Sequence, residues 1–175
     1  MIKNHLIIIG AGGLGREVAW LVERINHHSP TWNLLGFLDD NPALHGKTIN
    51  GHPVLGGCET LAACPEAYAV CAGGAPKVRR NIIEKIKSIS PTQKFATLLD
   101  PSVEKSSTVS IGEGTIICAR SILTVDIHIG DHVIVNLDCK IGHDAVVGIG
   151  SVVVNDIPGD CVAVGCPARA VKFNA

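Results

Sequence analysis

The sequence predicts a small parallel α/β domain over residues 1–98, followed by a parallel β-helix over residues 99–175. Three observations carry this prediction. Near the N-terminus, a glycine-rich turn joins a short apolar run to a helical pattern. In the second half, a branched aliphatic residue recurs at every sixth position. Only 3% of the residues are aromatic, so the core has to be built from small and β-branched side chains in regular layers.

The N-terminal segment has the pattern of a strand, a glycine turn and a helix. His5–Ile9 is predicted to be a buried strand. The helix after it has one apolar face, formed by Val18, Leu21, Val22 and Ile25. The glycines of the turn are Gly10, Gly12, Gly13 and Gly15. They contain the pattern G-x-G-x-x-G, which lets the backbone approach a pyrophosphate and directs helix N–H groups at anionic oxygens. This context predicts a Rossmann-like domain, and the alternative is that the glycines only tighten the turn.

An acidic pair, Asp39 and Asp40, follows the predicted second strand, Leu34–Leu38. The pair begins 24 residues beyond Gly15, whereas a NAD-binding fold places its ribose-binding carboxylate ~20 residues downstream. That spacing is loose for NAD. Because an Asn-Pro turn comes next, we expect both carboxylates at the carboxyl edge of the sheet, where they can accept hydrogen bonds from a ribose or a base.

A second pair of glycines, Gly73 and Gly74, ends the apolar run Tyr68–Ala72, and Pro76 then opens another helix. This helix is predicted to turn an apolar face inward and a basic, solvated face outward. The inward residues are Val78, Ile82, Ile83 and Ile86, and the outward residues are Lys77, Arg79, Arg80, Lys85 and Lys87. Gly73 and Gly74 therefore join the first glycine turn as candidate ligand contacts.

The second half follows a six-residue rhythm. The residues in phase are Ile111, Ile117, Leu123, Ile129, Val135, Ile141, Val147 and Val153. The fourth residue after most of them is small or branched, as in Thr115, Ser121, Val133, Cys139, Ala145 and Ser151. This is the hexapeptide pattern of a parallel β-helix, in which three hexads make one turn and the aliphatic residue points inward. Val103 and Val109 suggest a less regular earlier turn.

Composition excludes several classes of partner. A net charge of -1, from 15 basic and 16 acidic residues, gives no basic field that would attract nucleic acid. The seven cysteines form no C-x-x-C pair and are odd in number, which predicts the reduced thiols of a cytoplasmic protein. No segment approaches the ~20 apolar residues needed to cross a bilayer, so we expect no membrane association.

Five segments resemble a known family: IIGAGGLGREV at 8–18, GFLDDNP at 36–42, INGHPVLGG at 49–57, VNLDCKIGHD at 135–144 and VVNDIPGDCVAVGCPARAV at 153–171. On these segments the chain resembles the bacterial sugar-nucleotide N-acetyltransferases and their sialic acid O-acetyltransferase relatives. The resemblance implies a Rossmann-like domain joined to a left-handed β-helix. It also implies that the N-terminal domain binds a nucleotide-linked sugar. Acetyl-CoA would lie along the β-helix of a homotrimer, with active sites between neighbouring subunits.

His143 is the candidate general base for acetyl transfer. A histidine whose pKa lies near cellular pH can take the proton that an attacking amine must lose. His143 follows the inward Ile141 by two positions, and the adjacent Asp144 can orient its ring. The resemblance gives this pair the roles of base and partner, and gives Asn136 a role in holding the substrate. We expect His128 and His132 to be ordinary exposed histidines, and no metal site, because no zinc-ligand spacing occurs.

The chain departs from the family after His143. Family members continue with about two more turns, whereas this sequence passes almost directly into its closing segment. The thioester oxyanion would then need a donor from Gly148 or Gly150, from the closing segment around Gly165, or from a neighbouring subunit. Three alternatives to an N-acetyltransferase stay open: an O-acetyltransferase, a non-catalytic sugar-nucleotide-binding protein, and a nicotinamide-dependent oxidoreductase that only the glycine motif supports.

Overall fold

The computed structural model describes residues 4–173, which divide into two compact units between Ala96 and Thr97. The sequence pattern placed this boundary two residues later, after residue 98. The coil starts earlier because Leu98 and Leu99, which lie outside the counted hexads, pair in parallel with Ile116 and Ile117 as its first strand.

The first unit is a five-stranded sheet with two helices. Its strands are β1 (Asn4–Ile9), β2 (Trp32–Leu38), β3 (Thr48–Ile49), β4 (His52–Gly56) and β5 (Tyr68–Cys71), and its helices are α1 (Gly13–His28) and α2 (Pro76–Ile89). The order in the sheet is β3-β4-β2-β1-β5. All pairs are parallel except β3 with β4. Short 3₁₀ helices at Pro42–Leu44 and Cys58–Ala63 complete the unit. Among the described residues, no helix is long and apolar enough to cross a membrane.

Helix α2 packs differently from the prediction. Arg79, expected in solvent, is buried, while Val78, expected inside, is 52% exposed. The buried stripe therefore runs through Arg79, Ile83 and Ile86. The Arg79 guanidinium can be buried because its Nη1 donates hydrogen bonds to the carbonyl oxygens of Gly73, at 2.6 Å, and Gly74, at 3.1 Å. A buried charge is tolerated when it is hydrogen-bonded in this way.

The second unit is a parallel β-helix of very short strands. They are β6 (Leu98–Leu99), β7 (Glu104–Lys105), β8 (Ser110–Ile111), β9 (Ile116–Ile117), β10 (Ile122–Leu123), β11 (His128–Ile129), β12 (Ile134–Val135), β13 (Lys140–Ile141), β14 (Val146–Val147), β15 (Val152–Val153), β16 (Cys161–Gly165) and β17 (Ala168–Phe173). Three sheets form: β6-β9-β12-β15, β7-β10-β13, and β8-β11-β14-β16 with β17 antiparallel at its edge. Partners in successive turns are separated by three hexads, as in the pairing of Ser110 with His128 and of Ile116 with Ile134.

The predicted aliphatic positions line the interior of the coil. Seven of the eight are at most 1% exposed, and Ile111, in the first turn, is partly buried against the core. The second inward position holds a smaller residue in most hexads, the exceptions being Ile127 and Ile157. Where that residue is polar, its hydroxyl has a partner inside the coil: Thr115 donates to the Gly130 carbonyl and Ser121 to the Asn136 carbonyl. The inward face of the hexad repeat is therefore confirmed.

Seven successive corners of the coil each contain a residue with positive φ, again at six-residue intervals. These residues are Gly114, Arg120, Asp126, His132, Asp138, Asp144 and Gly150. Glycine, aspartate and histidine tolerate this left-handed conformation better than most residues, which explains their frequency. His132 was expected to be exposed, but it is buried because its ring stacks against the corner glycine of the preceding turn, Gly114.

The last turn is two residues shorter than the others. Val153 still pairs with Val135, three hexads earlier. Ile157, however, pairs with Ile141, and Ala163 with Val147, and both of these separations fall two positions short of three hexads. The shortening therefore falls between Val153 and Ile157, and it shifts the closing segment relative to the turn below.

Candidate active site

The first unit has a cleft where its parallel strands end. The cleft has a volume of about 340 Å³ and is lined by Ile9, Gly10, Leu38, Asp39, Asp40, Cys58, Gly73, Val78 and Ile82. Strand β1 has β2 on one side and β5 on the other, so the cleft lies at the switch point where open α/β sheets bind ligands. Four predicted residues thus share one cleft: Gly10, Asp39, Asp40 and Gly73. Gly13 lines a second cleft, with Arg16, Glu17, Trp20 and Asn50.

The four glycines of the first turn have different local roles. Gly10 has φ +102°, and a Cβ on Gly15 would overlap the Gly10 carbonyl oxygen, so both are needed for the turn itself. A Cβ on Gly12 would meet no atom within 4 Å, and one on Gly13 only the end of the Arg16 side chain. Gly12 and Gly13 therefore leave open space at the start of α1, where helix N–H groups favour anions.

Both carboxylates of the acidic pair have partners within the first unit. Asp39 accepts hydrogen bonds from the N–H groups of Ala11, at 2.9 Å, and Asn41, at 3.0 Å. Asp40 accepts from the Cys58 N–H at 3.0 Å and from Lys85 Nζ at 2.8 Å. These two donors hold the pKa of Asp40 below its ordinary value, the backbone hydrogen bond being the larger cause. Each carboxylate has about four lone-pair positions, so both can still accept from a ligand.

Cys58 also faces this cleft, but its chemistry is not that of a nucleophile. Burial, with a smaller effect from Asp40, raises the pKa of its thiol to about 12. The reactive form of cysteine is the thiolate, so Cys58 is a neutral wall residue at cellular pH.

In the second unit, His143 stands at the corner that follows β13. Its Nδ1 lies 3.0 Å from Asp144 Oδ2 and 3.7 Å from Asp160 Oδ2, and its side chain is 57% exposed. A carboxylate beside Nδ1 assigns the proton to that nitrogen and leaves Nε2 as the acceptor. The pKa of His143 is raised, first by the hydrogen bond to Asp144 and second by the charge of Asp160.

The turns above and below hold this corner in place. The Asp144 N–H donates to the Val125 carbonyl at 3.2 Å, and the Asp160 N–H donates to the His143 carbonyl at 2.8 Å. A Cβ on Gly159 would lie 2.9 Å from the His143 carbonyl oxygen and 3.3 Å from its ring atoms Cε1 and Nε2. The ring therefore packs over a residue that has no side chain. Sequence reasoning missed Gly159 and Asp160. The sequence feature that could have found them is that they follow His143 and Asp144 by about one turn of the coil.

Asn136 directly follows β12, seven residues before His143 and thus at a different corner of the same turn. Its N–H donates to the Val153 carbonyl at 2.9 Å, and its side-chain Oδ1 accepts from the Leu137 N–H at 3.1 Å. The first bond fixes the Asn136 backbone against the next turn. The role of Asn136 in substrate binding stays a prediction.

The glycines expected to contact acetyl-CoA already use their amide protons within the chain. Gly148 N–H donates to the Ala163 carbonyl at 2.9 Å, Gly150 N–H to the Asp131 carbonyl at 3.0 Å, and Gly165 N–H to Ser151 Oγ at 3.2 Å. These amides are therefore not open as oxyanion donors. Of the three sources considered from the sequence, this leaves a neighbouring subunit or other groups of the closing segment.

The His143 corner is also the one place in residues 4–173 where three side chains of types that can hold a metal ion come together. Nδ1 of His143 and the carboxylate oxygens of Asp144 and Asp160 lie within 4.8 Å of one another. All three side chains are more than half exposed. The hydrogen bond between His143 and Asp144 accounts for the short contact, so the geometry needs no cation to explain it.

Comparison with known proteins finds a domain that matches most of the first unit. Residues 5–86 match the PglD N-terminal domain. Galactoside O-acetyltransferase from Escherichia coli (strain K12) is 43% identical over 47 residues, which are 27% of this chain and 23% of that protein. The chain thus spans about a quarter of the length of the curated relative that it matches.

Several solved structures are similar over nearly the whole chain. The acetyltransferase domain of PglB from Neisseria gonorrhoeae FA1090, in complex with acetyl coenzyme A, is 22% identical with a TM-score of 0.62 and covers 97% of this chain and 100% of that one. A mutant of GDP-perosamine N-acetyl transferase from Caulobacter crescentus, in complex with CoA and GDP-perosamine, is 22% identical with a TM-score of 0.63 and covers 98% of both. WeeI from Acinetobacter baumannii AYE is 22% identical with a TM-score of 0.66 and covers 97% of this chain and 100% of that one.

At this level of identity the likeness establishes the fold. The predicted fold class, a Rossmann-like α/β domain followed by a left-handed parallel β-helix, is therefore confirmed. Over residues 5–86 the chain is similar to the PglD N-terminal domain, and as a whole it has the fold of these acetyltransferase structures.

Proposed function

We propose that the protein transfers the acetyl group of acetyl-CoA to the amino group of a nucleotide-linked amino sugar, with His143 as the general base. The observation that carries this proposal is the exposed His143 ring, whose Nδ1 is bonded to Asp144 and whose Nε2 is left as a proton acceptor. Similar structures bound to acetyl coenzyme A, and to CoA with GDP-perosamine, support the identity of the two substrates.

In this reaction Nε2 of His143 takes a proton from the attacking amino group. The amine nitrogen of the sugar then bonds to the carbonyl carbon of the thioester, and the carbon–sulfur bond breaks. The proton held by His143 passes to the departing CoA sulfur. Asp144 keeps the ring in the tautomer that accepts at Nε2, and its negative charge stabilises the imidazolium that forms.

The sugar nucleotide is proposed to bind at the cleft of the first unit. The open space at Gly12 and Gly13 and the N-terminus of α1 suit a pyrophosphate. The remaining acceptor positions of Asp39 and Asp40 suit ribose or base donors, and Gly73 gives a small wall at the end of β5. The nucleotide base and the sugar are left open by this chemistry.

Acetyl-CoA is proposed to lie along the β-helix beside Gly148, Gly150 and Gly165, in a cytoplasmic homotrimer. Since those three amides are bonded within the chain, a neighbouring subunit is the proposed source of an oxyanion donor. The seven free thiols suit a reducing compartment. In the trimer, a neighbouring subunit would also form the second wall of the cleft at His143, whose corner is exposed in a single chain.

A second candidate is a non-catalytic sugar-nucleotide-binding protein. Two observations favour it: the coil continues for about one turn beyond His143 before β17 closes it, and the expected oxyanion amides are occupied. A hydroxyl acceptor in place of the amine is the third, favoured by the partial match to galactoside O-acetyltransferase.

The test is CoA thiol release from acetyl-CoA with a panel of nucleotide-linked amino and hydroxy sugars. Removing a general base typically costs about 10²–10⁴-fold in rate, so His143→Ala should lose at least that much. His128→Ala is the matched control, because His128 is also exposed on the coil but bonds to Ser110. Absence of turnover with every acceptor, with nucleotide binding retained, would establish the non-catalytic function.

A further inference from the structure

We propose that Asp160, in the closing segment, is a positioning residue for His143 and supplies the second carboxylate that holds its ring and stabilises its charged form. The inference deepens the proposed function, since it rests on His143 acting as the base.

The shortened last turn is what places Asp160 at this corner. Asp126, Asp144 and Asp160 have φ values of 55°, 55° and 54°, and they occupy the same corner in three successive turns. Asp126 and Asp144 are three hexads apart, whereas Asp160 follows Asp144 two positions sooner, in step with the shifted register of the closing segment. Had the last turn kept three full hexads, this position would fall on Val162 instead.

Three contacts join Asp160 and its neighbour to His143. The Asp160 N–H donates to the His143 carbonyl at 2.8 Å, which fixes the two backbones together. The Asp160 carboxylate lies 3.7 Å from Nδ1, on the nitrogen that already contacts Asp144. Gly159 leaves room for the ring, because any side chain there would press on Cε1 and Nε2. The closing segment therefore leaves room for the His143 ring at Gly159 and places a negative charge beside it at Asp160.

The charged groups that act on His143 from these three turns are Asp126, Asp144 and Asp160. Each favours the imidazolium form and so raises the pKa of His143, with Asp144 having the largest effect through its hydrogen bond and Asp160 the next. In an exposed site one carboxylate changes the pKa of a neighbouring group only slightly. The pKa of His143 is therefore set by Asp144 and Asp160 together.

The test is an NMR pH titration of the His143 ring, assigned among the eight histidines by the signal that His143→Gln removes. Asp160→Asn should lower the titration midpoint. Asp160→Gly should lower the midpoint equally. Asparagine and glycine both tolerate positive φ, so the backbone is kept in either variant and the loss of the carboxylate charge is the change that they share. Asp138→Asn is the matched control, because Asp138 is an exposed corner residue with φ 57° whose carboxylate lies beside Lys140. In this variant the titration midpoint of His143 should equal that of the wild type.

An unchanged midpoint in both folded Asp160 variants would overturn the inference. So would a midpoint that moves on addition of EDTA, because the cluster would then hold a cation rather than a shared proton. The titration needs no substrate, so it decides the role of Asp160 even if the protein proves to have no acetyltransferase activity. If the protein is active, the acidic limb of kcat/KM should move to lower pH in Asp160→Asn, with a loss of about two- to fivefold at high pH.

Discussion

The pKa of His143 predicts opposite effects of pH on activity and on stability. A base must be neutral to accept a proton, so kcat/KM should fall as pH drops through the raised pKa of His143. For stability the sign is reversed. A group whose pKa is higher in the folded state stabilises the fold below its unfolded pKa, and that contribution is lost as pH rises through the folded value.

The measurement is the difference in unfolding free energy between the wild type and His143→Gln at a series of pH values. We expect the difference to be largest at acid pH and to vanish above the pKa of His143, over the same interval in which wild-type kcat/KM rises. A stability difference that grows with pH would contradict the assignment of Asp144 and Asp160 as its partners.

Gly159 predicts a second effect at the residue scale. The substitution Gly159→Ala puts a Cβ against the His143 carbonyl and ring, so both have to shift by a few tenths of an ångström. We expect a loss of kcat/KM that is smaller than that of His143→Ala, and a modest loss of stability of roughly 1–3 kcal/mol from overpacking.

Gly112→Ala is the control for crowding alone. A Cβ there lies 2.6 Å from backbone atoms of Gly130 and Asp131, at another corner of the coil and away from the proposed substrate contacts. It should lose at least as much stability, measured by urea unfolding, and keep its activity. Equal activity losses in the two variants would show that the effect of Gly159→Ala is general destabilisation.

At the scale of elements, the glycine turn before α1 separates folding from binding. A methyl group on Gly15 would overlap the Gly10 carbonyl, whereas one on Gly12 would meet no atom within 4 Å. Gly15→Ala should therefore destabilise the protein, by roughly 1–3 kcal/mol as for other overpacked sites. Gly12→Ala should leave the unfolding midpoint unchanged and weaken sugar-nucleotide binding, measured by calorimetry, because its methyl group enters the space proposed for the pyrophosphate. Unchanged affinity in Gly12→Ala would favour a turn with no ligand.

The elements that could be predicted from the sequence are those that repeat. A buried aliphatic at every sixth position follows from the geometry of a stacked coil, and Val135, Ile141 and Val147 are inside as that period requires. Asp160 could not be found in the same way, because the rhythm does not show where a turn loses two residues. Arg79 escaped prediction for another reason: its burial depends on two carbonyl groups of the Gly73–Gly74 turn, which a hydrophobicity pattern does not represent.

At the scale of the whole molecule, the proposed trimer would form each active site from residues of two neighbouring subunits. His143 and Asn136 lie at different corners of one turn, so one chain presents them in different directions around the coil. In a ring of subunits each interface joins two different surfaces. The corner that carries His143 in one subunit can then meet the corner that carries Asn136 in the next.

This arrangement predicts that two inactive variants restore activity when mixed. His143→Ala and Asn136→Ala should each be inactive as pure trimers, while co-refolded mixtures should contain intact sites at about a quarter of the interfaces, where a normal His143 meets a normal Asn136. Sedimentation would establish the trimer, and thiol release would measure the recovery. Separately folded trimers mixed without unfolding serve as the control and should stay inactive. If co-refolded mixtures also stay inactive while trimers form, His143 and Asn136 act within one chain, and the site does not depend on a neighbour for its substrate contact.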